Sequence, residues 1–491
     1  MNYCTPEKAG ISSAYVLKFL KHLDSYNLST HSVILARGND IFLECYYAPF
    51  NKDFKHRMYS VTKTFVSVAI GFCEQDGLIS LDDPMVKYFP EYVNEKTNEK
   101  MLKTTVRDML KMETSHDHNV NWFYSGTTDR IETYFRVTGD KNSNCLFSYD
   151  SQGSFMLGVI VEKVTGKPLV EYLKDKVLRD IGFSEDAYCL KAPGGYSWGD
   201  SAMMCTAMDL ALFTRFVLNK GTWNGKRYLN KEYLDAATDT AQVSNADYGF
   251  LGHGTYGYGY QIWGCPHNCF SMYGMGGQLG FCDPEHDLVF VINSDNQGNP
   301  CYYEQIFDCL YNDIIANLKD APISECDKQK KVLDSYIGSR KLFALNGNTD
   351  APIKEEINGR RFICEGNPMS IKWFQFDFDG KRAVLHYENA QGVKELPFGL
   401  GYNEFGKFPQ VGYSDMIGSV GEPGHKYDCA VSADFPEPQK IRIRVQIIDK
   451  YFGNLAMIFG FKDKNTASVK MVKCAEAFLD EYQGLMNAKA L

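Results

Sequence analysis

Strand patterns near both ends of the first 300 residues enclose a long helical stretch, and this arrangement limits the folds open to the chain. Apolar runs flank a Gly-Asn-Asp turn within residues 32–47, which predicts a β-hairpin. Residues from about 10 to 25 and from about 85 to 220 have helical patterns, whereas 256–263 and 288–293 predict adjacent strands. Because the hairpin and the late strands can join one antiparallel sheet, we expect an α+β fold with flanking helices and an all-helical region.

A second domain is predicted beyond residue 350. Short strand patterns separated by turn signals fill this part of the chain, and such regular strands indicate a small barrel or sandwich. A charged and polar stretch precedes it, and a short helix is predicted at roughly 470–486. The predicted division of the 491 residues is a first domain over 1–320, a linker over 321–350 and a β-barrel domain over 351–491.

Composition excludes several classes of partner. The formal net charge is -9 and no long basic run occurs, so nucleic acid and anionic membranes are not expected partners. No stretch approaches 18 apolar residues, and the N-terminus lacks a basic segment followed by an apolar one. The 15 cysteines are an odd number and lie mostly in apolar surroundings, which favours reduced thiols. We therefore expect a cytoplasmic protein.

Ser60 and Lys63 form a Ser-x-x-Lys spacing at the start of an apolar segment that predicts a buried helix ending near Gly77. Residues three apart lie on one face of a helix, so this hydroxyl and this amine can come within hydrogen-bonding distance. A desolvated lysine can take the proton from a serine hydroxyl, which then becomes a nucleophile. The pair predicts covalent acyl chemistry.

The same tetrapeptide also fits a purely structural interpretation. Ser60 is a good helix N-cap, and Lys63 would then extend into solvent. Because serine and lysine are common residues, this spacing also arises by chance in a chain of this length. Other motifs have to distinguish the two interpretations.

Two further segments carry groups suited to the same chemistry. Tyr149 and Ser151 lie two residues apart before an apolar helix, so both side chains can project to one side of an extended turn. Residues 273–280 (Tyr-Gly-Met-Gly-Gly-Gln-Leu-Gly) lie between strand-like segments. Their glycines allow the backbone to approach a ligand closely, and a free N–H there could donate to an oxyanion.

These three segments, in this order, resemble the serine hydrolases of the β-lactamase and penicillin-recognising superfamily, in particular its class C-like and esterase branch. The family pattern is Ser-x-x-Lys, then Tyr-x-Asn or Tyr-x-Ser, then Lys-Thr-Gly or a looser variant. The resemblance covers about residues 5–315. On strand count alone, the second domain resembles the lipocalin-like barrels appended to some D-aminopeptidase-type members.

The resemblance implies a role for each motif residue. Ser60 would be the acyl-accepting nucleophile, and Lys63 its neutral or proton-sharing partner with a pKa lowered by burial. Tyr149 would be the general base for Ser60 or for the deacylating water and the acid for the leaving group. Since a phenol ionises near pH 10, that role needs the positive field of Lys63. Ser151 would relay protons or orient substrate, and the backbone N–H groups of Ser60 and Gln278 would form the oxyanion hole.

The third motif departs from the family pattern in a way that bears on the substrate. Met275, Gly276 and Gly277 stand where penicillin-binding members have Lys or His, a small residue and Gly. Met275 cannot attract a substrate carboxylate, which makes β-lactams and cell-wall peptides poorer candidates. Trp122 and Trp198, each in a polar aromatic loop, would either line the pocket or serve in packing.

These features predict a serine hydrolase that acts through an acyl-enzyme on a small ester, amide or peptide. Two alternatives remain: a β-lactamase, D,D-peptidase or D-aminopeptidase proper, and a catalytically idle scaffold or filament-forming family member. No cofactor and no metal are expected, because the Ser-His-Asp-His run at 115–118 and the Cys-Pro-His-Asn-Cys run at 265–269 lack further ligands at metal-binding spacing. A homo-oligomer is possible.

Overall fold

A computed structural model describes residues 1–116, 129–137, 139–245, 256–413 and 424–491. The described chain divides after Lys341 into two compact units. Among the residues in these ranges, no helix is both long enough and apolar enough to cross a membrane.

The described part of the first unit contains twelve strands. They are β1 (Asn2–Tyr3), β2 (Thr30–Arg37), β3 (Asp40–Tyr46), β4 (His56–Arg57), β5 (Tyr188–Cys189), β6 (Met203–Cys205), β7 (Thr222–Trp223), β8 (Lys226–Arg227), β9 (Trp263–Gly264), β10 (Phe270–Gly274), β11 (Gln278–Asp283) and β12 (Leu288–Ser294). Seven of them form one sheet in the order β1-β3-β2-β12-β11-β10-β9, in which every pairing except β1–β3 is antiparallel. The predicted hairpin and its junction with the late strands are confirmed.

The described helices of the first unit pack against this sheet and against one another. They are α1 (Ser13–Ser25), α2 (Thr62–Gln75), α3 (Glu99–Lys103), α4 (Val106–Leu110), α5 (Arg130–Arg136), α6 (Ser151–Thr165), α7 (Leu169–Leu173), α8 (Ala207–Leu218), α9 (Lys231–Thr238), α10 (Tyr302–Cys309) and α11 (Asp327–Gly338). The α+β prediction, with a helical region between early and late strands, is confirmed.

Alternating side chains of the sheet reach two different helical layers, as the two-residue period of a strand requires. Phe290 of β12 points to α1, where its ring meets that of Phe19 edge to face at 5.9 Å. Cys282 of β11 points to the opposite face, where its thiol donates to the Thr214 carbonyl of α8 at 3.6 Å. Both faces of the sheet are therefore covered by helices.

Helix α2 crosses the helical region and is buried along almost its whole length, from Thr62 to Cys73. It packs against α6 on one side and reaches α8 on the other, where Phe65 stacks on Phe213 at 3.7 Å. Its end lies close to the predicted position, since Asp76 caps the helix and Gly77 takes φ +71°. A lysine in the first turn of such a helix has to enter the core.

The prediction for residues 256–263 is largely wrong. Only Trp263 and Gly264 form a strand, and β9 is separated from β12 by β10 and β11. Gly257 and Gln261 have φ of +92° and +59°, and such left-handed conformations interrupt an extended strand. Apolar and aromatic content alone therefore overstated the strand.

The predicted linker at 321–350 contains helix α11. One face of this charged helix docks on the first unit through Leu333, which is 1% exposed, and through Tyr336, whose hydroxyl donates to Asp24 of α1. Arg340, just after the helix, forms an ion pair with the same carboxylate. Only a narrow face of this helix is buried, so most of its residues are polar. This polar composition is why the sequence suggested a linker.

The second unit is a closed β-barrel, as predicted. It consists of α12 (Pro352–Ile357), β13 (Arg361–Cys364), β14 (Trp373–Asp379), β15 (Arg382–Asn389), β16 (Gly392–Leu400), β17 (Glu404–Val411), β18 (Lys426–Glu437), β19 (Lys440–Ile447), β20 (Asn454–Asp463), β21 (Thr466–Cys474) and β22 (Gly484–Ala490). The sheet order is β16-β15-β14-β13-β22-β21-β20-β19-β18-β17, and an additional β16–β18 pairing closes a ring of nine strands. Strand β17 pairs with β18 outside that ring.

The predicted C-terminal helix at 470–486 is wrong. This segment contains the end of β21, a short 3-10 helix over Ala477–Tyr482 and the start of β22. Strand β22 pairs with both β13 and β21. The barrel needs this last strand to close, and the long-range pairing outweighs the helical propensity of the local sequence.

Candidate active site

Ser60 lies in a 3-10 turn, Tyr59–Val61, that leads directly into α2. The preceding residue, Tyr59, has φ +46°, a left-handed conformation that is unusual for a bulky residue and is often found at functional sites. The Lys63 amine donates a hydrogen bond to Ser60 Oγ at 2.9 Å. The proximity predicted from the Ser-x-x-Lys spacing is confirmed.

Lys63 is a core residue, with 2% of its surface exposed. Its Nζ also donates to the main-chain carbonyl of Asp200 at 2.7 Å. Burial lowers the pKa of Lys63 to about 8, while the charges of Asp200 and Asp150 oppose this and that of Arg130 adds to it. The interpretation of Lys63 as a solvated surface lysine is therefore wrong.

Tyr149 approaches both residues from the segment that precedes α6. Its hydroxyl forms hydrogen bonds with Ser60 and Ser151, and its ring lies 5.1 Å from Lys63 Nζ. Burial raises the pKa of Tyr149 above its usual 10, against the lowering effect of those two hydrogen bonds. The expected lowering by the field of Lys63 is thus not found, and at neutral pH Tyr149 is a phenol.

The buried Asp150 anchors this segment at the start of α6. Its carboxylate accepts the Gly153 N–H at 2.8 Å as the helix N-cap, and accepts the Thr114 hydroxyl at 3.1 Å. Burial by itself raises the pKa of Asp150, but hydrogen bonds led by that of His116 hold it below its ordinary value. His116, considered as part of a metal motif, thus supports the turn that presents Tyr149; the following Asp-His pair at 117–118 lies outside the described residues.

The third motif forms the turn between β10 and β11. Gly276 and Gly277 have φ of +84° and +99°, which side chains other than glycine rarely adopt. The buried amide of Gln278 fixes the turn, since its Nε2 donates to the Met275 carbonyl at 2.9 Å and to the Ser294 carbonyl at 2.7 Å. The Met275 side chain is 43% exposed at the outer edge of this turn.

Strand β10 lies directly against the Ser60 turn because position 274 is a glycine. A Cβ atom at Gly274 would lie 2.3 Å from the carbonyl oxygen of Met58, two residues before Ser60. The Gly274 carbonyl accepts the Tyr303 hydroxyl at 2.7 Å, which holds the strand in place. The absence of a side chain thus sets the spacing between the first and third motifs.

We expect Gly274→Ala to lower kcat/KM about 10- to 100-fold, because the added methyl group pushes β10 away from the Ser60 turn and small displacements of reacting groups are costly. Gly406→Ala in β17 is the matched control, since a Cβ atom there meets nothing within 4 Å. Turnover of a p-nitrophenyl ester, one of the substrate classes expected from the sequence, is measured for both purified variants. Equal activity of Gly274→Ala and the wild type would contradict it.

The burial of Trp198 favours a packing role over a place in the lining of the pocket. It is 3% exposed, and its ring lies 4.5 Å from the Arg57 guanidinium, whose other neighbour at the same distance is the Tyr59 ring. An apolar ring beside a buried cation is held by packing and by cation–π attraction. Trp122 lies outside the described residues.

Three residues of the site have no counterpart in the sequence predictions. Trp263 stacks on Tyr149 with ring centroids 5.6 Å apart, and Asp200 and Arg130 form a buried ion pair at 2.7 Å. Trp263 was visible only as part of a strand pattern. The spacing between Lys63 and Asp200 is 137 residues, so no local signal connects them.

The cysteines contribute no linkage to the site. All fifteen lie in the described part of the chain, and none forms a disulfide. Residues 265–269 form a tight turn in which the Cys265 N–H donates to the Cys269 carbonyl at 2.9 Å. Within the described ranges, no group of three or more His, Cys, Asp or Glu side chains could hold a metal ion.

Comparison with known proteins agrees with this architecture. The profile of the Beta-lactamase family matches residues 18–304, more than half of the chain. The chain is 26% identical over 285 residues to the 6-aminohexanoate-dimer hydrolase of Paenarthrobacter ureafaciens, an alignment that covers 53% of this chain and 71% of that protein. Among solved structures it is similar to EstCE1, a hydrolase with promiscuous acyltransferase activity, with a TM-score of 0.50, 15% identity and coverage of 61% and 99%. The chain therefore belongs to the β-lactamase family of hydrolases.

Proposed function

We propose that this protein is a serine hydrolase that forms an acyl-enzyme on Ser60 and hydrolyses an ester or amide bond of a small substrate. The observation that carries the proposal is the 2.9 Å hydrogen bond between Ser60 Oγ and the buried Lys63 amine. With a pKa of about 8, roughly a tenth of Lys63 is neutral at pH 7. A buried neutral amine at this distance is a competent base for a serine hydroxyl.

In the acylation step, Lys63 Nζ takes the proton of Ser60 as Oγ attacks the substrate carbonyl carbon. The carbonyl π electrons move to oxygen, and collapse of this tetrahedral intermediate breaks the bond to the leaving group. Tyr149, a neutral phenol hydrogen-bonded to Ser60, donates its proton to the departing oxygen or nitrogen and recovers one from the Lys63 ammonium. This ordering uses Lys63 as the base and Tyr149 as the proton relay.

Water completes the cycle. It attacks the acyl carbon with loss of a proton to the same Tyr149–Lys63 pair, and the ester bond to Ser60 Oγ breaks as the serine regains its proton. Ser151 would orient this relay through its hydrogen bond with Tyr149. The products are a carboxylic acid and an alcohol or amine.

The backbone N–H groups of Ser60 and Gln278 are the proposed oxyanion hole. The approach of Gly274 to Met58 brings the two backbone segments together, and the clamped Gln278 side chain holds the second donor on a rigid turn. Removal of one such donor from the oxyanion hole of a serine protease costs about 3–4 kcal/mol of transition-state stabilisation.

The third motif bears on the substrate class. Met275 provides no cation for a substrate carboxylate, so we propose uncharged acyl groups in preference to β-lactams. Because a similar protein is named for hydrolysis of a 6-aminohexanoate dimer, linear amides belong in the substrate panel beside p-nitrophenyl esters.

A fluorophosphonate probe tests the proposal directly. Intact-mass and peptide mass spectrometry should locate one adduct on Ser60, and the adduct should block turnover of p-nitrophenyl esters or of a linear amide. Absence of both labelling and turnover would sink the enzyme proposal and favour a scaffold. Turnover of nitrocefin faster than of esters and amides would identify a β-lactamase instead.

The pH dependence of acylation follows from Lys63. We expect kcat/KM to rise tenfold per pH unit on the acidic side and to level off near pH 8, because only the neutral amine accepts the serine proton. No decline is expected below about pH 10, because the pKa of Tyr149 is raised and the phenol keeps its proton. Initial rates with a p-nitrophenyl ester, corrected for spontaneous hydrolysis, measure the profile. A flat profile between about pH 6 and pH 9 would contradict it.

A further inference from the structure

A buried ion pair lies immediately behind Lys63. Asp200 and Arg130 are 5% and 2% exposed, and Arg130 Nη1 lies 2.7 Å from Asp200 Oδ1. Asp200 also accepts the Lys63 hydrogen bond, through its main-chain carbonyl at 2.7 Å. One residue therefore contacts the amine with its backbone and the guanidinium with its side chain.

Arg130 is tied to the Tyr149 segment as well. Its Nε donates to Gln152 Oε1 at 2.7 Å, and Gln152 Nε2 returns a hydrogen bond to the Arg130 carbonyl at 2.7 Å. Its guanidinium lies 4.1 Å from the Phe155 ring of the same helix. Gln152 is the residue after Ser151, so Arg130 connects the start of α6 to the Lys63 environment.

We propose that Arg130 and Asp200 are positioning residues for Lys63: the Asp200 carbonyl fixes the amine beside Ser60, and Arg130 neutralises the Asp200 carboxylate so that Lys63 can lose its proton. This inference rests on the proposed function in assigning Lys63 as the base. Without Arg130, a bare carboxylate in a region of low dielectric would favour the ammonium form. Without Asp200, the unpaired guanidinium would disfavour it.

The Arg130–Asp200 ion pair is the part of the Lys63 surroundings whose charge can be changed by substitution. Ser60 on its own turn and Tyr149 above it are neutral at pH 7. Among the described residues, Asp150 on the segment before α6 is the other carboxylate that acts on Lys63, and it accepts hydrogen bonds from the Thr114 hydroxyl and the Gly153 N–H. The side chains of Arg130 and Asp200 can therefore be changed without removing any of the groups assigned to contact substrate.

The test is the direction in which the apparent pKa of Ser60 labelling shifts in each variant. The rate of fluorophosphonate labelling of Ser60 is measured against pH for the wild type, Asp200→Asn and Arg130→Met. We expect the apparent pKa to fall by about one unit in Asp200→Asn and to rise by about one unit in Arg130→Met. Arg130→Lys should keep the wild-type value, and the double variant should return close to it.

A merely structural role predicts slower labelling in both single variants with the apparent pKa unmoved or displaced in one direction, and either result would overturn the inference. If Arg130→Met does not fold, the fall in apparent pKa expected for Asp200→Asn and the unchanged value expected for Arg130→Lys decide. The ¹³Cε chemical shift of Lys63, assigned by its loss in Lys63→Met, reports the same titration without any reaction. Failure of wild-type labelling at Ser60 would thus count against the proposed function, whereas unmoved ¹³Cε titrations would count against the ion pair.

Discussion

Replacing Ser60 with alanine is expected to abolish fluorophosphonate labelling and to lower kcat/KM by about 10⁴- to 10⁶-fold, the range seen when a nucleophilic serine is removed. The hydroxyl supplies the atom that bonds to the acyl carbon, and no other described serine lies in hydrogen-bonding contact with the Lys63 amine. Steady-state hydrolysis of a p-nitrophenyl ester measures the loss. The fold should be retained, because Ser60 is partly exposed and its removal leaves no large cavity.

Ser67→Ala is the matched control for this experiment. Ser67 lies on α2, the buried helix that follows the Ser60 turn, and its hydroxyl also contacts a tyrosine, Tyr233, at 3.3 Å. Because Tyr233 keeps its hydrogen bond to the Ser67 carbonyl at 2.7 Å, this substitution should leave activity within about threefold of the wild type. Full activity of Ser60→Ala, or equal losses in the two variants, would show that Ser60 is not the nucleophile.

Lys63→Met should lower kcat/KM about 10²- to 10⁴-fold while leaving the protein folded. Methionine matches the lysine stem in shape but cannot take the serine proton. The lowering of the pKa of Lys63 from 10.5 to about 8 means that its surroundings, burial foremost, disfavour the ammonium form by about 3 kcal/mol. Relief of that penalty offsets the lost hydrogen bonds, so we expect thermal unfolding to change little.

Two further variants separate the base from a structural cation. Lys63→Arg keeps a positive charge that is not lost at accessible pH, and it should be as inactive as Lys63→Met. Lys174→Met removes another buried lysine, which donates to the Glu185 carbonyl at 2.6 Å, and should keep its activity. If Lys63→Arg retained activity, a proton-accepting role for Lys63 would be ruled out.

Much of the fold was predictable because its signals are local. The hairpin β2–β3 has its turn at Gly38, where φ is +58°, and α1 begins after Ser12, which caps the helix by accepting the Tyr15 N–H. Apolar periodicity and turn residues act over a few positions, so the sequence shows them directly. The barrel was predictable for the same reason, from repeated short strands.

The errors arose where distant contacts outweighed local preference. Strand β22 forms because β13 and β21 pair with it on either side. The narrow apolar face of α11 could be recognised as a buried face only once the helix was seen to pack near Asp24. For Trp198 the sequence left pocket lining and packing open, and its contact with Arg57 favours packing. All of these contacts join residues that are far apart in the sequence, so local sequence patterns do not show them.

The same distinction between local sequence signals and long-range contacts applies to the candidate site. The order and spacing of Ser60, Lys63, Tyr149 and Gln278 were sufficient to predict the family and the type of chemistry, because residues three apart lie on one helical face and the first two can meet there. Whether Lys63 can act as a base depends instead on its burial and on the charges of Asp200, Arg130 and Asp150. Its position depends on the hydrogen bond to the Asp200 carbonyl. Desolvation and through-space charge are properties of the assembled core, and the residues that produce them come from segments up to 137 positions away.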